Sequence, residues 1–279
     1  MTDAQGPTVL RYTAFATDPA GGNPAGVVLD ATGLTDARML EIAAEVGYSE
    51  TAFVVPRPAE PDDFDVRYFS PLVEVPFCGH ATVAAAVALG RPGTLRFHTP
   101  AGLVDVATTP TTATLTSVPT HATPAAPADV TAALRALGWS ADDLDDRYPP
   151  HWAFGGSRHL VLAVRTRARL AALDYDFDAL ADLLRAHDAV TAQLVHQREE
   201  DVFDARDPFP VGGVVEDPAT GSAAAAFGGY LRAIGRVERP RSVTIHQGVD
   251  LGRPSLLEIC VAPDDPRVTV TGSAVPITG

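Results

Sequence analysis

Lysine is absent from this chain: all 21 basic residues are arginine. That excludes a pyridoxal-phosphate Schiff base, a P-loop lysine against a phosphate chain, and serine–lysine catalysis. Cysteine is nearly absent as well. Cys78 and Cys260 are too few for a disulfide framework or a purely thiolate zinc site. No apolar run approaches the roughly 18 residues of a membrane span, since the alanine-rich stretch Ala81 to Leu89 is far shorter. Positive charge is also in deficit. A formal charge of −14, with no basic stretch to offset it, repels phosphate backbones, so neither nucleic acid nor membrane is an expected partner. The opening Met1-Thr2-Asp3 lacks a basic patch followed by an apolar core, and the expected compartment is the cytoplasm. The eight histidines are scattered, none paired at helical spacing with another ligand, so no metal is expected.

What remains is a chain of 279 residues, 46% hydrophobic, with a mean hydropathy near zero. This is enough for one large core or two medium ones. Strand-like runs recur at Thr8 to Phe15, Ala25 to Leu29, Thr51 to Val55, Asp65 to Phe69 and Leu95 to Phe97. Thr35 to Val46 instead places Met39, Leu40, Ile42, Ala43 and Val46 at helical spacing, with Thr35 as N-cap and Gly47 as the stop.

Two further segments, Gly79 to Leu89 and Gly221 to Leu231, are apolar on every side, which predicts helices inside the fold. Each leads through a glycine to two strands, Leu95-Arg96-Phe97-His98 and Leu103-Val104-Asp105-Val106 in the first case, Val243-Thr244-Ile245-His246 and Leu256-Leu257-Glu258-Ile259 in the second. The two glycines lie about half the chain apart, and this order reads as an internal duplication. The spaced prolines of Pro119 to Pro127 are expected to form the junction, blocking helix and central strand alike. The expected domains are therefore 1–120, completed by a final strand at about 267–279, and 128–264, with a ligand cleft between the halves.

The starts of the two apolar helices are then the residues to weigh. Gly79-His80 and Gly221-Ser222 would present unpaired N–H groups to a carboxylate, or the glycines merely relieve crowding. His80 reads as a partly buried histidine or a proton relay. Asp217, ahead of Pro218-Ala219-Thr220-Gly221-Ser222, is explained by helix capping, although Glu216, Thr220 and Ser222 make an unusually polar group beside an apolar helix. Glu50 is either a solvated strand edge or, near apolar surface, a carboxylate suited to acid–base work. Cys78 reads as a packed small residue or, because a helix N-terminus lowers a thiol's pKa, as a reactive one. Tyr148 to Phe154, with Trp139 and Trp152, reads as a surface loop in preference to a pocket wall; Asp142-Asp143 and Asp145-Asp146 as a solvated acidic loop; and Arg198 to Pro210 as a polar connection.

In order and spacing, Gly22-Asn23-Pro24, Ser49-Glu50-Thr51-Ala52-Phe53, Cys78-Gly79-His80-Ala81-Thr82, Asp217-Pro218-Ala219-Thr220-Gly221-Ser222-Ala223 and Gln247-Gly248 with Arg253-Pro254 resemble the signature of the phenazine-biosynthesis isomerase family. The resemblance spans Thr13 to the final strand. It implies an α+β, diaminopimelate-epimerase-like fold: two pseudo-symmetric barrel-like β domains, each wrapped around a central buried helix, commonly as a homodimer. It implies Glu50, His80, Asp217 and Ser222 as catalytic, with Asn23, Ser49, Cys78, Gly79, Thr220 and Gly221 binding a small-molecule carboxylate. It also implies proton transfer between carbons of a dihydro-hydroxyanthranilate-like metabolite, without organic cofactor or metal. Epimerases of the same fold use two thiols. Here Cys78 matches the first position, but Pro218 stands at the second, so two-thiol racemisation is not expected. An amino-acid epimerase built on Glu50 with Cys78 or Asp217, or a non-catalytic metabolite binder, are the alternatives.

Overall fold

The computed structural model describes residues 6–278, and Met1-Thr2-Asp3 lies outside them. Helices and strands coexist in an α+β arrangement, and the chain separates into two compact units. One runs to Thr116 and resumes from Thr271; the other is Ser117–Val270.

The first unit contains β1 (Leu10–Ala14), β2 (Asn23–Val28), α1 (Asp36–Val46), β3 (Glu50–Pro56), β4 (Asp63–Phe69), β5 (Glu74–Val75), α2 (Gly79–Ala88), β6 (Gly93–Thr99), β7 (Gly102–Thr108) and β8 (Thr112–Thr116). The last strand in the chain, Val268–Pro276, supplies its final member. Pairing runs β1–β2–β3–β4–β6–β7–β8, then through that last strand back to β1, which closes a barrel. Closure leaves no unpaired edge in the ring. Within α2, every residue from His80 to Val87 is buried, and the helix packs on β1, β2, β3, β7 and β8. Its side chains are mostly alanine, valine and threonine. That is why strands approach it so closely, and why its sequence carries no polar face.

The expected first helix is present, with Thr35 Oγ1 accepting from Arg38 N and Gly47 at φ 72° taking the left-handed conformation that ends it. Met39, Ile42 and Ala43 face inward onto Val28, Phe53 and Phe69.

The second unit adds β9 (His121–Pro124), α3 (Pro127–Ala136), β10 (His151–Phe154), β11 (Arg158–Ala163), α4 (Arg167–Ala171), α5 (Phe177–Ala186), β12 (Ala189–Glu199), β13 (Val202–Pro208), β14 (Glu216–Asp217), α6 (Gly221–Ala233), β15 (Arg241–Gln247) and β16 (Ser255–Val261). The final strand is β17. The ladder runs β9–β10–β11–β12–β13–β15–β16. Helix α6 packs on β9, β10, β11 and β16, while α5 lies on β12 and α3 on α5.

Four expectations fail here. The proline-spaced segment is not a featureless junction: His121–Pro124 is a strand paired with β10, and Pro127 opens a helix. The prolines sit at element ends, where a missing N–H costs little. Tyr148 to Phe154 is not a surface loop. Tyr148, Trp152 and also Trp139 are buried, and the two tryptophans join a leucine-rich cluster with α3 and α5. Arg198 to Pro210 is a β-hairpin arm of β12 and β13. In the acidic loop Asp145 is buried, with Arg147 closing on both of its oxygens. Among the described residues, no helix is long and apolar enough to cross a membrane.

Candidate active site

Parallel pairing of β2 with β3 fixes Glu50 opposite Ala25 at the start of β3. Cys78 is extended at φ −143°, ψ 115° and immediately precedes α2; its own side chain does not cap that helix. Its first N–H groups therefore keep their capacity for an anion. Gly79 and His80 are its first two residues.

These segments bring three candidate side chains together. Glu50 Oε2 lies 3.6 Å from Cys78 Sγ and 3.4 Å from His80 Nε2. Cys78 Sγ is 3.4 Å from His80 Nδ1, and Ser49 Oγ is 3.3 Å from His80 Nε2. The side chains of Glu50 and His80 are 20% and 9% exposed, so the carboxylate is neither solvated surface nor sealed off. A histidine carrying its proton on Nε2 donates towards Glu50 and leaves Nδ1 to accept from the thiol. The arrangement can hold a proton on Glu50 and can steady that carboxyl group after it gains or loses one.

Behind it, Thr82 Oγ1 donates to Cys78 O at 2.7 Å, and the buried Tyr68 hydroxyl donates to Thr82 Oγ1 at 2.6 Å. Burial pushes the Tyr68 phenol well above its usual range, so it stays a donor. Sequence reasoning missed this brace. Tyr68 belongs to the apolar face of β4, where a tyrosine looks like any other core residue. Asn23, expected in the same group, is buried at the start of β2 opposite Ala14.

In the second unit Asp217, Thr220 and Gln247 form one cluster. Thr220 Oγ1 donates to Asp217 Oδ2 at 2.6 Å; Gln247 Nε2 reaches Asp217 O at 2.8 Å and Thr220 Oγ1 at 3.0 Å; Thr220 N donates to Gln247 Oε1 at 3.1 Å. Asp217 is not itself the N-cap residue of α6. It lies in β14, and the residue before α6 is Thr220, which makes no side-chain cap. Gly221 opens α6, and the half-buried Ser222 follows in its first turn. Gly248 has φ 73°, and a Cβ there would meet Arg253 O at 2.3 Å and Pro218 O at 2.7 Å, which explains glycine in the Gln247-Gly248 pair.

Beneath this cluster lies a polar group that the sequence hid. Asp207, 0% exposed, pairs across to Asp217, and its Oδ1 accepts from Thr191 Oγ1 at 3.3 Å. Thr191 in turn contacts His159 Nδ1 at 2.8 Å. Burial, then the charges of Asp217 and Glu216, pushes the Asp207 carboxyl well above the usual carboxylate range. Burial pulls His159 down to about 3. Glu216 is held by Arg206 at 3.0 Å and 2.5 Å, with Arg206 Nη1 also donating to Ala171 O at 3.0 Å. The available signal was period-two alternation: Asp207 shares a strand face with Phe203 and Ala205.

The spacing of the histidines gave no metal motif, yet the ligand atoms of Glu50, Cys78 and His80 all lie within 4.8 Å of one another, as do those of Glu60, Asp63 and His98.

The sequence profile of the phenazine biosynthesis-like protein family matches residues 12–279. The chain belongs to that family. Relatives within it include an uncharacterized isomerase, YfhB, of Bacillus subtilis, 31% identical over 96% of this chain and 95% of that one. The trans-2,3-dihydro-3-hydroxyanthranilate isomerase of Pseudomonas chlororaphis is 34% identical over 88% of this chain and 86% of its own. Among solved structures, the phenazine biosynthesis protein of the PhzF family from Bacillus anthracis superposes with a TM-score of 0.86 at 25% identity, covering 97% and 96% of the two chains. By class, this member of the phenazine biosynthesis-like family is an isomerase.

Proposed function

We propose that the chain is a cofactor-independent isomerase that moves a proton between carbons of a small carboxylated metabolite, with Glu50 as the general acid and base. The observation that carries this reading is the contact of Glu50 Oε2 with His80 and Cys78 at the start of α2. Glu50 as carboxylate takes a proton from a carbon whose electrons then delocalise towards the substrate carboxylate. As the acid, it returns the same proton to another carbon of that system. His80, itself contacted by Ser49, holds the glutamate in place, and the N–H groups at Gly79 and His80 favour the accumulating negative charge. The roles of Asp217, Ser222, Thr220, Gly221 and Asn23 follow from the family resemblance and form part of the proposal. So do a homodimeric assembly, a cytoplasmic location and two pseudo-symmetric halves, each around a central helix. The name of the Pseudomonas relative supports a dihydro-hydroxyanthranilate as the first substrate to try.

The test is incubation with that compound and with a panel of amino acids in heavy water, mapping deuterium by NMR. Migration of the proton without inversion supports the proposal. Inversion at an α-carbon transfers the assignment to an epimerase that uses the Cys78 thiol. Glu50→Gln is expected to lower turnover by about 10²–10⁴-fold with the fold intact, the range a positioned acid–base group supplies. Unchanged turnover in that variant removes Glu50 from the chemistry.

A further inference from the structure

Among the described residues, eight buried side-chain nitrogen and oxygen atoms have no hydrogen-bond partner in the protein, and four of them fall on three residues of the second unit: His159 Nε2, both ends of the Gln193 amide, and Asp207 Oδ2. All three residues are 0% exposed. They are also neighbours. His159 lies opposite Thr191, and Val161 opposite Gln193, in the β11–β12 ladder, while Thr191 Oγ1 bridges His159 Nδ1 at 2.8 Å and Asp207 Oδ1 at 3.3 Å. Leu160, Ala192 and Leu194 face the leucine-rich cluster, so by alternation His159, Thr191 and Gln193 face the other way. Asp207 shares its face of β13 with Phe203, whose ring packs on Phe227 of α6. The four atoms therefore point to the α6 side of the sheet, where the turn before Phe227 is Ala223-Ala224-Ala225-Ala226 and brings no bulky side chain. A buried polar group without a partner is costly, and a cluster of them calls for a shared one.

We infer that His159, Thr191, Gln193 and Asp207 enclose an internal water molecule that ties β11, β12 and β13 together beneath Asp217. Counting donors and acceptors selects water. If His159 donates from Nδ1 to Thr191 and Thr191 donates to Asp207, Nε2 is left as an acceptor and Oδ2 as a donor when protonated or as a second acceptor when ionised. If the chain runs the other way, from a protonated Oδ1 through Thr191 to Nδ1, the Nε2–H is left as a donor and Oδ2 as an acceptor. The Gln193 amide adds an acceptor and two donor hydrogens. Water, which donates twice and accepts twice, serves every one of these cases, whereas a cation or an anion matches only one sign. Complete burial of the surrounding side chains excludes anything of metabolite size. Thr220 faces Asp207 as well, but its hydroxyl hydrogen goes to Asp217 at 2.6 Å and its oxygen takes Gln247 Nε2 at 3.0 Å. Because Asp207 pairs across to Asp217, the water steadies the strand position beside that candidate residue without adding a charge.

The experiment is NMR of the isotope-labelled full-length protein, measuring cross-relaxation from water to the Gln193 side-chain amide hydrogens and to the His159 Cδ2 hydrogen. The latter flanks Nε2 and lies away from the Thr191 hydroxyl, which could otherwise relay the signal. Cross-peaks at both residues are expected, with the sign of a water that tumbles with the protein. Asp207→Asn keeps a donor and an acceptor in place and is expected to keep both peaks. Gln193→Met, close in volume but without polar atoms, is expected to weaken the His159 peak, since the water loses its amide partner. Absence of the peaks from the unaltered protein overturns the site, and a peak at only one of the two residues overturns a shared water. An undiminished His159 peak in Gln193→Met overturns the part given to the amide. A high-resolution crystal structure provides the second measurement: an oxygen within about 3.2 Å of at least two of the four atoms is expected, and density in which those atoms pair with one another refutes the inference.

Discussion

His159 and Asp207, linked through Thr191 in the second unit, hold protons in opposite senses from the unfolded chain. Burial lowers His159 from 6.5 to about 3, so the folded protein keeps it neutral. Asp207 is raised well above 3.8, first by burial and then by Asp217 and Glu216, so the folded protein keeps it protonated. Unfolding between these limits moves a proton from carboxyl to imidazole. Taken alone, His159 makes stability rise with pH up to its unfolded value of 6.5, because the unfolded state binds the extra proton. Taken alone, Asp207 makes stability fall as pH rises above 3.8, because the folded state binds it. Each slope is at most about 1.4 kcal/mol per pH unit, and above about pH 4 and below about 6.5 the two oppose each other for as long as Asp207 keeps its proton.

Asp207→Asn removes one side of that balance. Its stability relative to the unaltered protein is expected to climb with pH from about 4 upward, by at most about 1.4 kcal/mol per unit, while His159→Gln drifts in the other direction up to pH 6.5. Urea unfolding followed by the fluorescence of the buried Trp139 and Trp152 at a series of pH values measures both. Taking each variant as a difference from the unaltered protein removes the titration of other groups. A flat difference curve for Asp207→Asn means that the carboxyl ionises in the fold as it does in the open chain, and the account of this buried cluster fails.

Two other perturbations test the framework around the candidate residues. Arg206→Met strands the Glu216 carboxylate, whose side chain is 1% exposed, and should cost about 3–5 kcal/mol in urea unfolding, with Arg206→Met/Glu216→Leu recovering most of it; equal losses in single and double variants would contradict the pairing. Tyr68→Phe keeps the ring on Phe77 but deletes the donor to Thr82, for an expected loss of about 1–2 kcal/mol, and a variant as stable as its parent rules out the brace behind Cys78.

The parts legible in the sequence were those governed by local rules. Thr35 and Gly47 bounded α1 because capping involves neighbours only, and the unbroken apolarity after Gly79 and Gly221 marked both helix starts. The approach of Glu50 to Cys78 and His80 depends on β2 pairing in parallel with β3, a contact between distant segments that no local pattern reports. Prolines misled because their cost depends on position: Pro124 ends β9 and Pro127 begins α3, where neither interrupts a ladder or a helix. Trp152 sits after two prolines and an acidic stretch, so its flanks read as loop while its own ring stacks on His187 beneath α3 and α5. Asp207 was lost inside a segment whose many charges concealed which of them point inward.

β17 has a consequence for how the protein is made. Tyr12, Thr13 and Ala14 take their partners from Pro276, Val275 and Ala274, so the barrel of the first unit is closed by residues made after the whole of the second unit. During synthesis β1 and β8 wait with open hydrogen-bonding edges until Thr271 and its successors emerge, although the intervening unit can already have folded. The unit that holds Glu50 is thus begun before the other and closed after it, and loss of β17 would damage it before it touched Asp217.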